Sequence, residues 1–469
     1  MLTTVAEYIR TEAVACSAAF GLPGYLAGVY HGGDQIVVAH GVANIETGIP
    51  MTEDTSFLIG SVTKVLTTTL LLQHVERGLI DLDERVTSYL PELQLASPAG
   101  AGEIRVRNLL NHTDGIDGDI FLPDINGEGA LKMYVQQLER CATLFEPGEY
   151  LSYSNPAFMI AGRLLEVVTG KRFHDLFERE LYQRIGARDS CTSAAQAILR
   201  RTAVGHFGNP VTGAAQRTRM FMLPESWSAC GSTPIMTTGD LLAFARTHLK
   251  NGVAPSGERV LSQELTQRMR TVTFDMRTPS VPPIGLGWWV VPLGETTGLW
   301  HAGASPGGSC YLLVIPEYDF AFAAFGNGPG APHDKLALWL VREHLRVQVP
   351  EVVSAFVEAS DLASYEGTYR SNQLRMDIRA VDGQLEQAIT YEPLDADQER
   401  ILTEGSGAQF PGPPLRFVPV GNGLFAPAGA PLESFTGIRG RGGLMSFHGQ
   451  AQGRAAYRGW AGRLARRIT

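Results

Sequence analysis

The stretch TSFLIGSVTKVLTTTLLLQHVERG, Thr55 to Gly78, constrains the fold of this chain more than any other. Val62, Val65, Leu66, Leu70, Leu72 and Val75 recur at helical spacing, and up to Leu72 the residues between them are apolar or threonine except Lys64. A helix so patterned is apolar nearly all round and has to be buried on every side. Ser61 stands at its start and Gly78 at its end, where helices commonly close on a left-handed glycine. One cation, Lys64, lies inside the run. A buried lysine must snorkel to water, pair with an acid or give up its proton, and helix packing alone supplies no reason for its presence. The spacing supplies one. Ser61 and Lys64 are three residues apart, so they share a helix face, and an amine beside a hydroxyl can act as its base. Of the lysines Lys64, Lys132, Lys171, Lys250 and Lys335, only Lys64 has a serine three residues before it. The bland alternative is a serine that caps the helix and a lysine that snorkels.

With 469 residues, 44% hydrophobic and 19% charged, the chain has ordinary globular composition and room for two or three domains, which excludes a disordered or fibrous reading. A net charge of -9 argues against a general nucleic-acid binder. The C-terminal stretch reverses that sign: Arg439, Arg441, Arg454, Arg458, Arg463, Arg466 and Arg467 occur there without an acid, and read as an exposed, arginine-rich strand and tail. Cys16, Cys141, Cys191, Cys230 and Cys310 show neither paired nor metal-ligand spacing, so buried reduced thiols are expected and no metal or other cofactor is called for. Glu7, Arg10 and Glu12 fall where a secretory leader needs an apolar core, and no run reaches the length of a membrane span. The expectation is a cytoplasmic protein with neither nucleic acid nor membrane as a partner; the sequence does not fix its oligomeric state.

YLAGVYHGGDQIVVAHGVANI, residues 25 to 45, reads as two strands joined by a Gly-Gly-Asp turn. A helix-rich middle follows, including PAFMIAGRLLEVVTG with Gly170 at its end and TTGDLLAFARTHLKNG with Gly252 after its end. Strands return in GLGWWVVPL and in SCYLLVIPEYDFAFAAFGN, and HDKLALWLVREHL closes as an amphipathic helix. Strands at both ends with helices between them predict one sheet built from both ends, carrying an inserted helical lobe, with a cleft between the two. After Pro350 short strands and Gly or Pro turns predict a separate all-β domain, a small barrel. The division expected is 1–350 and 351–469. No nucleophile and base stand at motif spacing in the barrel, so it is expected to wall the site and not to perform chemistry.

Two further stretches complete a hydrolytic constellation. In GEYLSYSNPAFMIAG, Tyr153 and Asn155 lie two apart before a helix, and no other tyrosine has an asparagine two residues on. A phenol sharing protons with a lysine can relay a proton from Ser61 to a leaving group, and an amide beside it can orient a carbonyl. In LWHAGASPGGSCYLLVIP, His301 precedes Gly303 and leads into apolar strands. His31 and His206 also have a glycine two residues on, but His301 alone both follows the tyrosine motif and leads into apolar strands. The backbone at Gly303 and Ala304 can lie open to substrate, so that the amides of Ser61 and Ala304 form an oxyanion hole, each donor typically worth about 3 to 4 kcal/mol.

Ser61-Val62-Thr63-Lys64, Tyr153-Ser154-Asn155 and His301-Ala302-Gly303 resemble, in order and rough spacing, the three motifs of the serine β-lactamase and penicillin-binding-protein superfamily. The histidine in the third motif is similar to the class C-like esterases, D-stereospecific peptidases and acyltransferases. RGLIDLDERVTSYLPEL, IRVRNLLNHTDGI and GSTPIMTTGDLLAFA look like family segments too, and the resemblance covers about residues 10 to 345. Residues 355 to 469 resemble more weakly the lipocalin-like barrel of penicillin-binding-protein-type thioesterases. The resemblance implies a mixed α/β (α+β) fold, with an antiparallel sheet flanked by helices and a lipocalin-like barrel appended. It also implies Ser61, Lys64, Tyr153 and His301 as catalytic residues, with Asn155, Gly303 and Ala304 at the oxyanion and substrate side. Asp114 in HTDG stands where such proteins usually carry serine, and His301 lacks the permanent charge of a lysine, so β-lactam hydrolysis is not the expected activity.

The leading expectation is acyl-enzyme chemistry at Ser61 on an ester or amide of a small molecule or peptide, ending in hydrolysis. The second is acyl transfer or macrocyclisation with an amine acceptor. The third is a non-catalytic binding module, disfavoured because all four catalytic residues are present. Asp114, Asp117, Asp119, Asp124 and Glu128 crowd the loop HTDGIDGDIFLPDINGEG, which is expected to border the cleft and draw a cationic guest.

Overall fold

Gly32 and Gly33 turn the chain between β1 (Gly24–His31) and β2 (Asp34–Asn44), which pair antiparallel from His31↔Asp34 to Gly24↔Gly41. The computed structural model describes residues 2–117, 120, 125–208, 213–350, 362–371, 373–393, 395–396, 399 and 412–469. The other edge of β1 pairs with a strand from the far end of the same region. With β3 (Ile49–Pro50), β4 (Trp289–Leu293), β5 (Thr296–Ser305), β6 (Gly308–Ile315) and β7 (Phe320–Gly326), the sheet order is β3-β2-β1-β7-β6-β5-β4, antiparallel throughout. The central strands are apolar on both faces because both are covered. One face packs on α1 (Leu2–Phe20) and α5 (His333–Trp339). The other packs on α2 (Thr63–Glu76) and α4 (Thr238–Leu249), and α3 (Pro156–Thr169) lies against α2 in the inserted lobe.

α2 is the helix predicted around Lys64, and every residue from Thr63 to His74 is buried. Three of its threonines spend their hydroxyls inside the protein: Thr67 donates to Ala229 O, Thr68 to Lys64 O and Thr69 to Val65 O, all at 2.8–2.9 Å. Arg77 closes the helix and Gly78 follows at φ +70°. Trimming Leu66 or Leu70 to alanine in so tight a setting costs about 2–5 kcal/mol.

The C-terminal region is an eight-stranded antiparallel sheet. Its strands are β8 (Gly367–Ser371), β9 (Leu374–Val381), β10 (Gln384–Tyr391), β11 (Leu415–Gly421), β12 (Leu424–Pro427), β13 (Ser446–Ala451), β14 (Arg454–Trp460) and β15 (Arg463–Arg467). The order is β12-β11-β10-β9-β8-β15-β14-β13. The sheet curls around Tyr369, Met376, Leu385, Phe417 and Phe425, and its two edges meet where Phe425 and Met445 exchange backbone hydrogen bonds of 2.9 and 2.8 Å. The boundary expected at residue 350/351 adjoins residues 351–361, which lie outside the described residues.

All five cysteines are buried and outside any disulfide, as expected. The arginine-rich end is exposed only in part, at Arg439, Arg454 and Arg466. Arg441 and Arg458 are buried, and the Arg458 guanidinium lies 4.9 Å from the centre of the Trp460 ring, where burial pulls its pKa down to about 9. Arg467 donates to Ser364 O, Tyr369 Oη and Ala455 O. A flat guanidinium stacks on aromatic faces and spends its donors on carbonyls, which a count of charges along the sequence cannot anticipate.

Candidate active site

Ser61 sits in a single 3-10 turn, Gly60–Val62, that runs straight into α2. Lys64 therefore falls in the first turn of the helix, fully buried, on the same side as the serine. Its Nζ donates to Ser61 Oγ at 3.2 Å and to Cys230 O at 3.0 Å, and lies 4.9 Å from the centre of the Tyr153 ring. No carboxylate among the described residues pairs with it.

The third motif reaches Ser61 through backbone. Gly60 has φ +52°, and a Cβ there would lie 2.3 Å from Ala304 O; one on Gly303 would lie 2.0 Å from Ile59 O and 3.1 Å from Ser61 N. Only glycine lets these two segments approach so closely. β4 covers β5 only as far as the pair Trp289↔Trp300, so from His301 to Ser305 the outer edge of β5 has no strand beside it and faces the nucleophile turn. His301 is buried, and its Nδ1 hydrogen-bonds Ala302 O at 2.7 Å. Nδ1 must be the protonated nitrogen, because a carbonyl only accepts. Nε2 then carries a lone pair without a partner among the described residues. Burial first, and the charge of Lys64 second, push the His301 pKa down to about 3, so the ring is neutral at working pH.

Tyr153-Ser154-Asn155 precedes α3, and its side chains alternate in direction. Tyr153 and Asn155 line the cleft, while Ser154 turns back into the core. The Tyr153 ring is packed 4.5 Å from His112 and 6.4 Å from His301, centre to centre. Its backbone is gripped from the all-β region: Tyr153 N donates to Gly462 O at 2.8 Å, and Arg463 Nη1 donates to Tyr153 O at 3.2 Å. The Arg463 guanidinium also lies 5.1 Å from the centre of the Tyr153 ring. Arg463 was not singled out as a site residue. The one sequence signal was the turn Trp460-Ala461-Gly462-Arg463, whose central residues take φ +51° and +75°, and nothing in it indicates where the hairpin docks.

Two cavities meet at Ser61, Tyr153, Ala304, Arg439 and Arg463. One, of about 700 Å³, is walled mainly by the catalytic region, including Asn155, Phe207, Leu223, Trp227 and Ser305. The other, of about 750 Å³, is walled by Trp289, Trp300 and His301 on one side and by Phe435, Ile438 and Trp460 of the all-β region on the other. Asp334 of α5 pins that second wall, accepting from Arg439 N at 3.0 Å, Gly440 N at 2.7 Å and Tyr311 Oη at 3.1 Å.

The acidic loop is not arranged as expected. Asp114 is buried beneath the tyrosine motif, where Ile116 N and Ser154 Oγ capture its carboxyl, and neither Asp117 nor Glu128 lines either cavity. Asp119 and Asp124 lie outside the described residues. The charged side chains at the cavity walls are Arg439, Arg463 and Asp334.

The chain belongs to the beta-lactamase family, whose model matches residues 11–346. It is 34% identical over 355 residues to penicillin-binding protein 4 of Amycolatopsis lactamdurans, covering 74% of this chain and 93% of that protein. Over 162 residues it is 32% identical to the ML-236A carboxylate methylbutanoyltransferase of Penicillium citrinum, covering 30% of this chain and 38% of that one. The crystal structure of SurE shares its fold over the full length of both chains, with a TM-score of 0.74 at 23% identity. The family joins serine hydrolases and acyltransferases. Among the described residues no helix is long and apolar enough to cross a membrane.

Proposed function

We propose that the protein is a serine hydrolase or acyltransferase that forms an acyl-enzyme on Ser61 from an ester or amide of a small molecule or peptide. The observation that carries this reading is Lys64 Nζ at 3.2 Å from Ser61 Oγ, inside a helix that offers the amine no carboxylate. Lys64 Nζ takes the Ser61 proton as Oγ attacks the carbonyl. The amides of Ser61 and Ala304 hold the oxyanion, with Gly303 letting the two segments close together, and Asn155 orients the acyl chain from the catalytic-region cavity. Tyr153 delivers the proton to the departing alkoxide, thiolate or amine, which leaves Ser61 acylated. Water or an acceptor then attacks, and the same groups run in reverse.

Acyl transfer is the second reading, and the paired cavities favour it, because a hydrolase needs no second chamber of equal size on the far side of its nucleophile. An amine or alcohol entering from the barrel side meets the lone pair of His301 Nε2, which can accept a hydrogen bond from it and orient it. The division at residue 350, with the C-terminal domain as the acceptor wall, belongs to this reading. A fluorophosphonate probe tests the core of it. The intact protein should be labelled on Ser61 and Ser61→Ala should not be; equal labelling of both would end the catalytic reading. Partition of a chromogenic ester between hydrolysis and aminolysis, with increasing added amine, separates the two fates.

A further inference from the structure

Behind the tyrosine motif lies a buried acid that the reaction above does not use. Asp114 is wholly buried. Its Oδ1 accepts from Ile116 N and from Ser154 Oγ, both at 3.0 Å, while Oδ2, equally buried, has no partner among the described residues. Ser154 Oγ in turn accepts from Ala157 N at 3.2 Å in the first turn of α3, and Ser154 N donates to His112 Nδ1 at 3.1 Å. The turn that carries Asp114 is strapped to the same segment by Ser152 N to His112 O at 3.0 Å and Gly148 N to Thr113 O at 2.8 Å. Ser154 is thus held from behind by two residues of one turn, and the residues either side of it, Tyr153 and Asn155, face the cleft.

We propose that Asp114 is a positioning residue which, as an uncharged acid, fastens Ser154 and so sets the placement of Tyr153 and Asn155, and that its ionisation slows acylation. The inference rests on the acyl-enzyme reading. An uncharged carboxyl suits the site: Oδ1 serves as a carbonyl-type acceptor, and the proton resides on Oδ2. As an anion the group would leave a buried charged oxygen unpaired, which is costly. Burial, opposed by the bonds from Ile116 N and Ser154 Oγ, raises its pKa to about 7, so the change falls within the working range. The titratable groups around the motif are His112 on the same turn and Tyr153 beside Ser154. Lys64 from α2, His301 from β5 and Arg463 from the all-β region all act on His112. An anion appearing behind this set favours the protonated forms of its bases, the opposite of what proton transfer from Ser61 requires.

The test is the rate of fluorophosphonate labelling between about pH 6 and 9 for the intact protein, Asp114→Asn and Asp114→Ala. Asparagine keeps the acceptor oxygen and cannot ionise. At about pH 6 it should restore labelling to within about threefold of the native chain, and at about pH 9 it should label about five- to tenfold faster. Asp114→Ala should label about tenfold more slowly than Asp114→Asn at both, and so about tenfold more slowly than the native chain at about pH 6. A ratio of Asp114→Asn to native that stays constant with pH, or an alanine variant as fast as the native chain, would overturn the proposal. If alanine prevents folding, the asparagine ratio still decides. An infrared difference spectrum supplies a readout independent of activity: a protonated carboxyl band present in the native protein at about pH 6, absent from Asp114→Asn, and lost with a midpoint near 7. A native protein that is never labelled defeats the acyl-enzyme reading and not the protonated acid; a band with a midpoint below about 5 defeats the latter.

Discussion

The two walls of the site are built in different ways. On the nucleophile wall, Ser61 and Lys64 are three residues apart, and their geometry follows from one helical turn and from a helix buried all round. On the tyrosine wall, Tyr153 is set by groups from distant places: His112 behind it, His301 across from it, and Gly462 and Arg463 of the all-β region gripping its backbone. The first wall has its precision written locally, whereas the second borrows precision from the all-β region. Changes on the nucleophile wall should therefore act on chemistry alone, and changes on the tyrosine wall should reveal coupling to the all-β region.

The largest effect should separate the walls at the level of proton transfer. Lys64→Ala and Tyr153→Phe are each expected to lower the acylation rate by about 10² or more, while His301→Ala does less because it assists one step. Stopped-flow or timed labelling measures this, and full activity in Tyr153→Phe would remove the tyrosine wall from the mechanism. Arg463→Ala comes next, at about tenfold: it removes the hydrogen bond to Tyr153 O and the stacked cation, yet leaves Lys64 and Ser61 alone. Equal rates for Arg463→Ala and the native chain would show that the all-β region only encloses the site. Asp334→Asn should have a smaller effect on rate and a visible one on stability, about 1–3 kcal/mol in denaturant melts, because asparagine cannot accept from both Arg439 N and Gly440 N as the carboxylate does. Its influence should appear as altered preference among substrates that fill the barrel-side cavity.

Asp114 gives the gentlest probe. Its carboxyl is released near 4 in the unfolded chain and held to about 7 in the folded one, so between those values the folded state binds more protons. Stability should fall as pH rises through this window, by roughly 1.4 kcal/mol per pH unit at most. Asp114→Asn should flatten that slope in thermal melts, and an unchanged slope would place the effect elsewhere.

What could be read from the sequence follows the same division. The helix around Lys64, the β1–β2 turn and the order of the three motifs were legible because each is set by residues a few positions apart. β5 was not read as a strand of its own, since Gly298 and Gly303 interrupt the alternation of Thr296–Ser305, although Gly303 is there to let backbone meet backbone. Asp114 was noticed as a departure and assigned to the acidic loop, because charge counting assumes solvent, and only the fold shows Ser154 and Ile116 N waiting for its carboxyl. Where Arg463, Gly462 and Asp334 dock is not legible, for the groups they meet at the site, Tyr153 and Arg439, lie 310 and 105 residues away along the chain.

That separation has a consequence in time. Tyr153 and Arg463 are 310 residues apart. At a synthesis rate of about 5–20 residues per second, roughly 15–60 s pass between the emergence of the tyrosine and of the arginine that holds it. The nucleophile helix and the sheet behind it can fold on the ribosome long before the hairpin that completes the site exists, so the nascent enzyme passes through an interval with its serine in place and its tyrosine not yet gripped.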